Sequence, residues 1–557
     1  MPAAVRARAF AVLAHLLLLP GIAAAEAPPR ELLLAGGALA VCSDLGVRSC
    51  TSAPQDAARR AAQFRLDAAG IERALASGLM PEGAPPLDER RAMLQQARAD
   101  LGDSAAEAPA VEDALAASAT WGRLLDRERV AVLSALELPQ IGADGQRLTE
   151  RAFPETSRDP GGVAVLRAFV DAARLRSGGR APRIAVVTAS AGDPMEPVDF
   201  HLSTFRALGA EAIWWPIDPA LAKARFDEGD CARLPALRES VLGLSQRERI
   251  YPDLAEFQRA YCDSQPAVML LVQGVFFAGG DQWKIHQSLY GANGLPNAWL
   301  AELQAAQRSG RVVVGGTSAG SAVQSGAWML TNGDVEAAVS RPARRHAPPE
   351  PGCGRAERCV GGVAEDTLTL WPGGGLGLAD AAIVDTHFSE RARELRLLMA
   401  MQAADARWGY GADETSALRV RDYADRREID ALGESGGWVF RRAAGARDEV
   451  DAWYLTPGAT LVVEGSADPA GAESVRLEIA EDAERPRRVR MPIPGSAFES
   501  GALRIMAQHL AWRCGAGYQR PAAPGQAELR CAEGARSWRG SNGLNGVGPL
   551  RLRFARP

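Results

Sequence analysis

Gly315-Gly316-Thr317-Ser318-Ala319-Gly320 follows the β-branched run Val312-Val313-Val314 and leads into the small residues Ser321-Ala322-Val323. The pattern predicts a strand, a tight turn and a helix, with Ser318 at the apex. Gly316-x-Ser318-x-Gly320 fits the G-x-S-x-G nucleophile elbow, in which the turn lifts the serine Oγ clear of the sheet. Glycines flank such a turn because a Cβ there would block the backbone or a substrate. A helix beginning just after the serine also leaves free N–H groups that favour negative charge. A plain glycine–serine turn fits the hexapeptide alone equally well, so its meaning depends on what else the chain carries.

Working outward, apolar strands alternate with helical stretches. Leu32-Leu-Leu34 runs into Gly36-Gly37, Ile184 to Thr188 and Ala212 to Trp215 read as strands, and so do Ala267 to Val272, Val312 to Val314 and Ala382 to Val384. Between them, Val163 to Leu175 and Asp199 to Leu208 have helical periodicity. Apolar strands with helices between them imply a parallel sheet covered on both faces. The expected fold is thus α/β, doubly wound and mostly parallel. The expected divisions are a leader over 1–25, the first strand of the catalytic domain in 26–50, a helical insertion over 51–160, the rest of the catalytic domain over 161–465, and a small β-rich C-terminal extension over 466–557. The helical reading of 51–160 rests on Ala, Arg, Glu and Leu at helical spacing, as in Asp88 to Ala97.

The 557 residues allow roughly two to four domains on the usual length prior. Hydrophobic content of 47% and charge of 24% describe an ordinary globular chain, and a net charge of −5 gives no global case for nucleic acid. Arg6 and Arg8, the apolar run Ala9 to Leu19 and Ala23-Ala24-Ala25 form the three regions of a signal peptide cleaved near Ala25. That run is shorter than the ~18 residues expected of a bilayer-spanning segment, so a periplasmic or secreted protein without a membrane anchor is expected. Eight cysteines remain after cleavage. In an exported chain an even count suggests disulfides, and sequence neighbours would pair as Cys42–Cys50, Cys231–Cys262, Cys353–Cys359 and Cys514–Cys531. With no C-x-x-C, a zinc site is not expected, nor is any other metal or cofactor.

A serine nucleophile needs a base, and the base an orienting acid. Of the six histidines, His15 leaves with the leader. His201 and His286 fall in helical stretches, His346 in a Pro- and Arg-rich loop and His509 in the tail. His387 alone follows a core strand, in Ile383-Val-Asp-Thr-His-Phe-Ser389, and sites in open α/β sheets assemble at strand C-terminal ends. Asp334 and Glu336 follow the serine, which would give the order Ser, acid, His. The loop Gly279-Gly280-Asp281-Gln282 exposes backbone N–H groups that could pair with that of Ala319 as an oxyanion hole.

Four stretches together resemble cyanophycinase and the serine peptidase family that also holds the aspartyl dipeptidases: Phe276-Phe-Ala-Gly-Gly-Asp-Gln282, Gly315 to Gly320, Asp385-Thr-His-Phe-Ser-Glu-Arg391 and Gly411-Ala-Asp-Glu-Thr-Ser-Ala417. The resemblance covers about residues 30–45 and 160–465. It implies a Ser–Glu–His triad of Ser318, Glu336 and His387, with Asp334 as the alternative acid, and an oxyanion hole of Gly280 and Ala319. Substrate contacts would fall on Gln282, Asp385, Arg391, Arg393 and Arg396. The implied activity is release of β-Asp-Arg dipeptides from cyanophycin, a polyaspartate backbone bearing arginine on each β-carboxyl; a dipeptidase of aspartyl peptides or a catalytically inactive peptide-binding relative are the alternatives. The substrate is the partner expected, with a homodimer as the candidate assembly. The sequence departs from the family pattern at Thr386 and Ser321, where Gln and Ala are usual.

Overall fold

The computed structural model describes residues 28–54, 59–76, 84–244, 246–264, 266–380, 382–442, 449–465, 473–489, 496–514 and 527–554. The leader over 1–25 lies outside the described residues.

Successive residues of a strand face opposite sides of its sheet, and the short apolar strands of this chain bury both sides. Leu33, Ile184, Val186, Phe276 and Val313 pack with Phe169 and Phe205 of the helices Pro160–Arg176 and Val198–Ala207. The alternate residues Leu32, Leu34, Ala185, Val187, Val275, Phe277 and Val314 pack with Ile285, Leu289, Leu300 and Leu303 on the opposite face. The strands Arg30–Ala35, Val313–Thr317, Gly274–Phe277, Arg183–Val187 and Glu211–Trp214 lie side by side in that order, all parallel. Four antiparallel strands extend the sheet beyond Arg30–Ala35: Ser416–Asp422, Arg426–Gly433, Ala459–Glu464 and Ser474–Ile479. The architecture is mixed α/β around one nine-stranded sheet.

Two expectations need correction. Ala267 to Val272 is not a strand; Val268–Leu271 is a short helix and the neighbouring run Gly274–Phe277 occupies the sheet. Short apolar runs look alike in either conformation. Here Leu270 is 75% exposed, whereas Phe276 and Phe277 are fully buried, so burying the second run removes more apolar surface from water. Ala382–Thr386 is also not part of the large sheet. It pairs in parallel with Trp408–Ala412 in a second, six-stranded sheet completed by Gly437–Arg441, Glu449–Leu455, Asn545–Phe554 and Ala527–Arg539.

Between the first strand and Pro160–Arg176, the helices Ala68–Leu75, Leu87–Leu101, Ala108–Ala116, Ala119–Arg123 and Asp126–Leu136 close a small core of Ile71, Met93, Leu94, Val111, Leu115 and Leu136. Arg358 ties this unit to the segment between Arg341 and Asp366 by donating to the buried Glu128 carboxylate at 3.1 and 3.0 Å. The C-terminal segment contributes strands to both sheets, and its helix Ala502–Arg513 packs Leu503, Ala507 and Leu510 beside Phe388, Trp438 and Tyr454. The eight cysteines form the four neighbouring pairs, with Cα–Cα separations of 4.6, 5.8, 4.8 and 5.6 Å in chain order. No helix among the described residues is long and apolar enough to cross a membrane.

Candidate active site

The strand Val313–Thr317 ends in a turn that holds Ser318 at φ 53°, ψ −122°, a conformation L-residues rarely adopt. Three contacts hold it there. The Ser318 N–H donates to the Ala35 carbonyl at 3.0 Å, and the Ser321 hydroxyl reaches the Ala35 and Gly316 carbonyls at 2.8 and 2.7 Å. Ser321, one of the two departures from the family pattern, thus ties the turn to the neighbouring strand. A Cβ on Gly316 or Gly320 would collide with the Gly320 or Phe277 carbonyl, so the close backbone approach requires both glycines.

The Ser318 Oγ lies 2.7 Å from His387 Nε2, and His387 Nδ1 lies 2.6 Å from Glu414 Oε1. With Nε2 accepting from the serine hydroxyl, Nδ1 carries the proton and donates it to Glu414. The series bridges the two sheets. Ser318 ends a strand of the large sheet, and His387 follows the edge strand Ala382–Thr386 of the second. Glu414 sits where the chain crosses from Trp408–Ala412 to Ser416–Asp422, one in each sheet. His387 itself has φ 48°, and its N–H donates to the Gly36 carbonyl at 2.8 Å.

Gly37 (φ 124°) lets the imidazole lie against bare backbone, because a Cβ there would overlap the ring. Gly37→Ala is therefore expected to displace the imidazole and slow reaction of Ser318 with a fluorophosphonate by ~10²-fold, the scale of a 1 Å misplacement. Labelling rates with circular dichroism as the folding control check this.

The carboxylate beside His387 Nδ1 is the main departure from expectation. Glu336 is exposed on the helix Val335–Ser340, and Asp334 caps that helix by accepting from the Ala337 N–H at 2.7 Å. Neither hydrogen-bonds His387. Both follow the serine closely in sequence, but the fold spends this segment on capping a surface helix. Glu414 lay within a stretch already singled out, Gly411 to Ala417. What concealed it was its position after the histidine in chain order.

The other expected residues converge. Gly280, Gln282, Ser318, Ala319, Asp385, His387, Arg391, Arg393 and Arg396 all line one cavity of about 180 Å³. Gly280 is at φ 142°, where a Cβ would collide with the Ser190 carbonyl. Neither the Gly280 nor the Ala319 N–H donates to an acceptor among the described residues. Gln282 donates to the Leu330 and Thr331 carbonyls at 3.1 and 3.2 Å, which shapes the wall. Arg396 embraces both oxygens of buried Asp385, and Arg393 donates to the Thr386 carbonyl at 2.7 Å. Asp385 also lies 3.5 Å from Arg393, so this one lining carboxylate faces three guanidinium groups and the cavity lining keeps an excess of positive charge. Burial, followed by repulsion from Arg396, pushes the Arg393 pKa down to about 9, so an incoming carboxylate would relieve that repulsion.

His387 has a pKa below the ordinary 6.5, first because of burial, with Arg391 and Arg393 adding and Glu414 opposing. A base works in its neutral form, so the acid limb of activity should lie below the usual histidine range. Removing a nearby cation favours imidazolium. Arg391→Ala should thus raise the His387 pKa and shift the limb to higher pH, which NMR titration of the imidazole can read. No shift, or a downward one, would remove Arg391 from the electrostatics of the site.

The remaining described histidines sit apart. His286 stacks between Trp283 and Tyr290, with its pKa pushed down to about 4 by burial, as is that of the half-buried His201. Among the described residues no group of three or more His, Cys, Asp or Glu is placed to hold a metal ion.

Fold and site together define an α/β protein whose serine, histidine and glutamate form one hydrogen-bonded series at a cationic cavity. The chain is similar to cyanophycinases of Trichormus variabilis and of a Nostoc species, each 28% identical over 231 residues, or 41% of this chain. The match spans 62% of the length of each of these relatives. Among solved structures, a peptidase from an acI-B1 Actinobacterium matches at 14% identity with a TM-score of 0.29, over 50% of this chain and 85% of that one. No family model matches the chain. The resemblance is to cyanophycinase-like peptidases.

Proposed function

We propose that this protein is an exported serine-type peptidase of cyanophycinase type that cleaves aspartyl backbones through an acyl-enzyme. The observation that carries the reading is the Ser318–His387–Glu414 series at 2.7 and 2.6 Å, opening on a cavity with two undonated N–H groups. Ser318, on a nucleophile elbow, attacks the scissile carbonyl carbon while His387 Nε2 takes its proton. Glu414 holds the tautomer and stabilises the imidazolium. The Gly280 and Ala319 N–H groups receive the oxyanion of the tetrahedral intermediate. His387 then protonates the leaving amine, and water repeats the sequence on the acyl-enzyme.

Arg391 and Arg393 suit a substrate carboxylate beside the scissile bond, since a guanidinium fork binds carboxylates through paired hydrogen bonds. In cyanophycin each aspartate β-carboxyl is taken up in an amide to arginine, so the carboxylate offered at each residue is that of the arginine branch, and the similarity to cyanophycinases supports it as the substrate. Short aspartyl peptides are a second reading. Asp385, the carboxylate lining the cavity, is already bound by Arg396 and is poorly placed to receive a substrate guanidinium.

Incubation with insoluble cyanophycin tests both. Clearing of turbidity with release of β-Asp-Arg supports the first reading, and cleavage of soluble aspartyl peptides without clearing supports the second. Cleavage of neither, by protein that labels at Ser318, would leave the site without this substrate class. Export is consistent with the expected leader and the four cysteine pairs.

A further inference from the structure

The C-terminal helix Ala502–Arg513 lies behind the site and contributes no residue to the cavity lining. Its Arg504 nevertheless points at the residues that fix Glu414. Arg504 Nη1 donates to Glu390 Oε1 at 2.5 Å, to Ser435 Oγ at 2.9 Å and to Asp413 Oδ2 at 3.3 Å. The other Glu390 oxygen accepts the backbone N–H of Glu414 at 3.0 Å. Asp413 precedes Glu414 and is fully buried. Its Oδ1 accepts the Ser389 N–H at 3.0 Å and its Oδ2 the Tyr454 hydroxyl at 3.1 Å.

The helix start also clasps the turn after His387. The Gly501 N–H donates to the Ser389 carbonyl at 2.6 Å, and the Ser500 hydroxyl to the Glu390 carbonyl at 2.7 Å. One guanidinium thus joins the turn carrying the histidine to the crossover carrying the acid.

We propose that Arg504 is a positioning residue for the His387–Glu414 pair, so that the C-terminal segment completes the active site from behind. The inference rests on the triad proposed above. Its physical basis is that Glu390 and Asp413 are two carboxylates converging on one cation. Burial and the Glu390 charge push the Asp413 pKa up to about 6, and Arg504 opposes this. Without the guanidinium the two carboxylates repel, and either movement or protonation loosens the bond that holds the Glu414 backbone. Glu414 then loses its register with Nδ1, at a bond where a fraction of an ångström matters.

The test uses the full chain and the rate of Ser318 labelling by a fluorophosphonate, which depends on His387 accepting the serine proton. Arg504→Met keeps an unbranched apolar stem and removes the guanidinium with its charge. It should lower the labelling rate and the kcat on a cleavable aspartyl peptide by about 10–100-fold, with KM nearly unchanged because the cavity lining is intact. Arg504→Lys should recover part of the loss, since one ammonium can reach several of the same acceptors. Millimolar guanidinium should partly rescue the shortened variant Arg504→Ala. Arg487→Ala, which removes an exposed ion pair with Glu484 in the same segment, should leave the rates at wild-type values. Should the Arg504 variants fail to fold, Glu390→Gln preserves shape and weakens the same link, with a smaller loss expected. Folded Arg504→Met or Glu390→Gln protein that labels within twofold of wild type overturns the inference. Wild-type protein that does not label at Ser318 overturns the triad itself, and this inference with it.

Discussion

Ser318→Ala is expected to abolish hydrolysis while leaving the fold and substrate binding in place. The hydroxyl makes one side-chain hydrogen bond, to His387 Nε2, and the turn is held by the Ser318 backbone and by Ser321. Removing Oγ therefore costs the site its proposed nucleophile and little of the packing. In serine triads that loss is on the order of 10⁶ in turnover, with residual catalysis from the oxyanion donors and binding. Turnover of the purified variant on the aspartyl substrate, with Tm as control, measures it. A residual rate above a tenth of wild type would mean that another group attacks the carbonyl. The backbone adds a second readout: at φ 53° alanine is strained as serine is, so Tm should change by no more than a few degrees.

The second large effect separates Glu414 from Glu336. Glu414→Gln keeps the shape of the side chain, but its amide can present an N–H to Nδ1 and so favour the tautomer that protonates Nε2, which cannot then accept the serine proton. In the equivalent Asp→Asn substitution of a serine protease, kcat falls by about 10⁴. The variant should also lower the His387 pKa further, because Glu414 is the group that raises it. Glu336→Gln should leave kcat within twofold, since that carboxylate is exposed on a helix away from the imidazole. Equal losses in the two variants, or a loss only in Glu336→Gln, would return the role to the residue expected from chain order.

The elements that were legible in the sequence carry strong local signals. Arg30–Ala35, Arg183–Val187 and Val313–Thr317 are short, apolar and bounded by turn residues, and the helix Pro160–Arg176 has a clear period. Ser318 and His387 were legible because each sits immediately after an apolar strand, and Gly280 and Ala319 because of the glycines around them. The strand at Gly274–Phe277 was assigned one run too early because two apolar runs stand side by side, and only burial against Phe169 and Phe205 selects between them.

Local pattern, then, determined that this chain forms an α/β fold with a sharp Gly–Ser–Gly turn, eight cysteines in neighbouring pairs and an arginine-rich segment after His387. These depend on residue type and on spacing within a few positions. Three features belong to the tertiary structure: the histidine strand lies in a second sheet, the carboxylate at Nδ1 comes from the crossover between sheets, and the C-terminal segment is built into both sheets, with Arg504 behind that carboxylate. Each is a contact between residues far apart in the chain, settled by which apolar faces and buried charges satisfy one another. No periodicity of the sequence records that pairing: Glu336 begins a short helix and Glu414 sits on a short turn, and only the folded chain brings one of them to 2.6 Å from the imidazole.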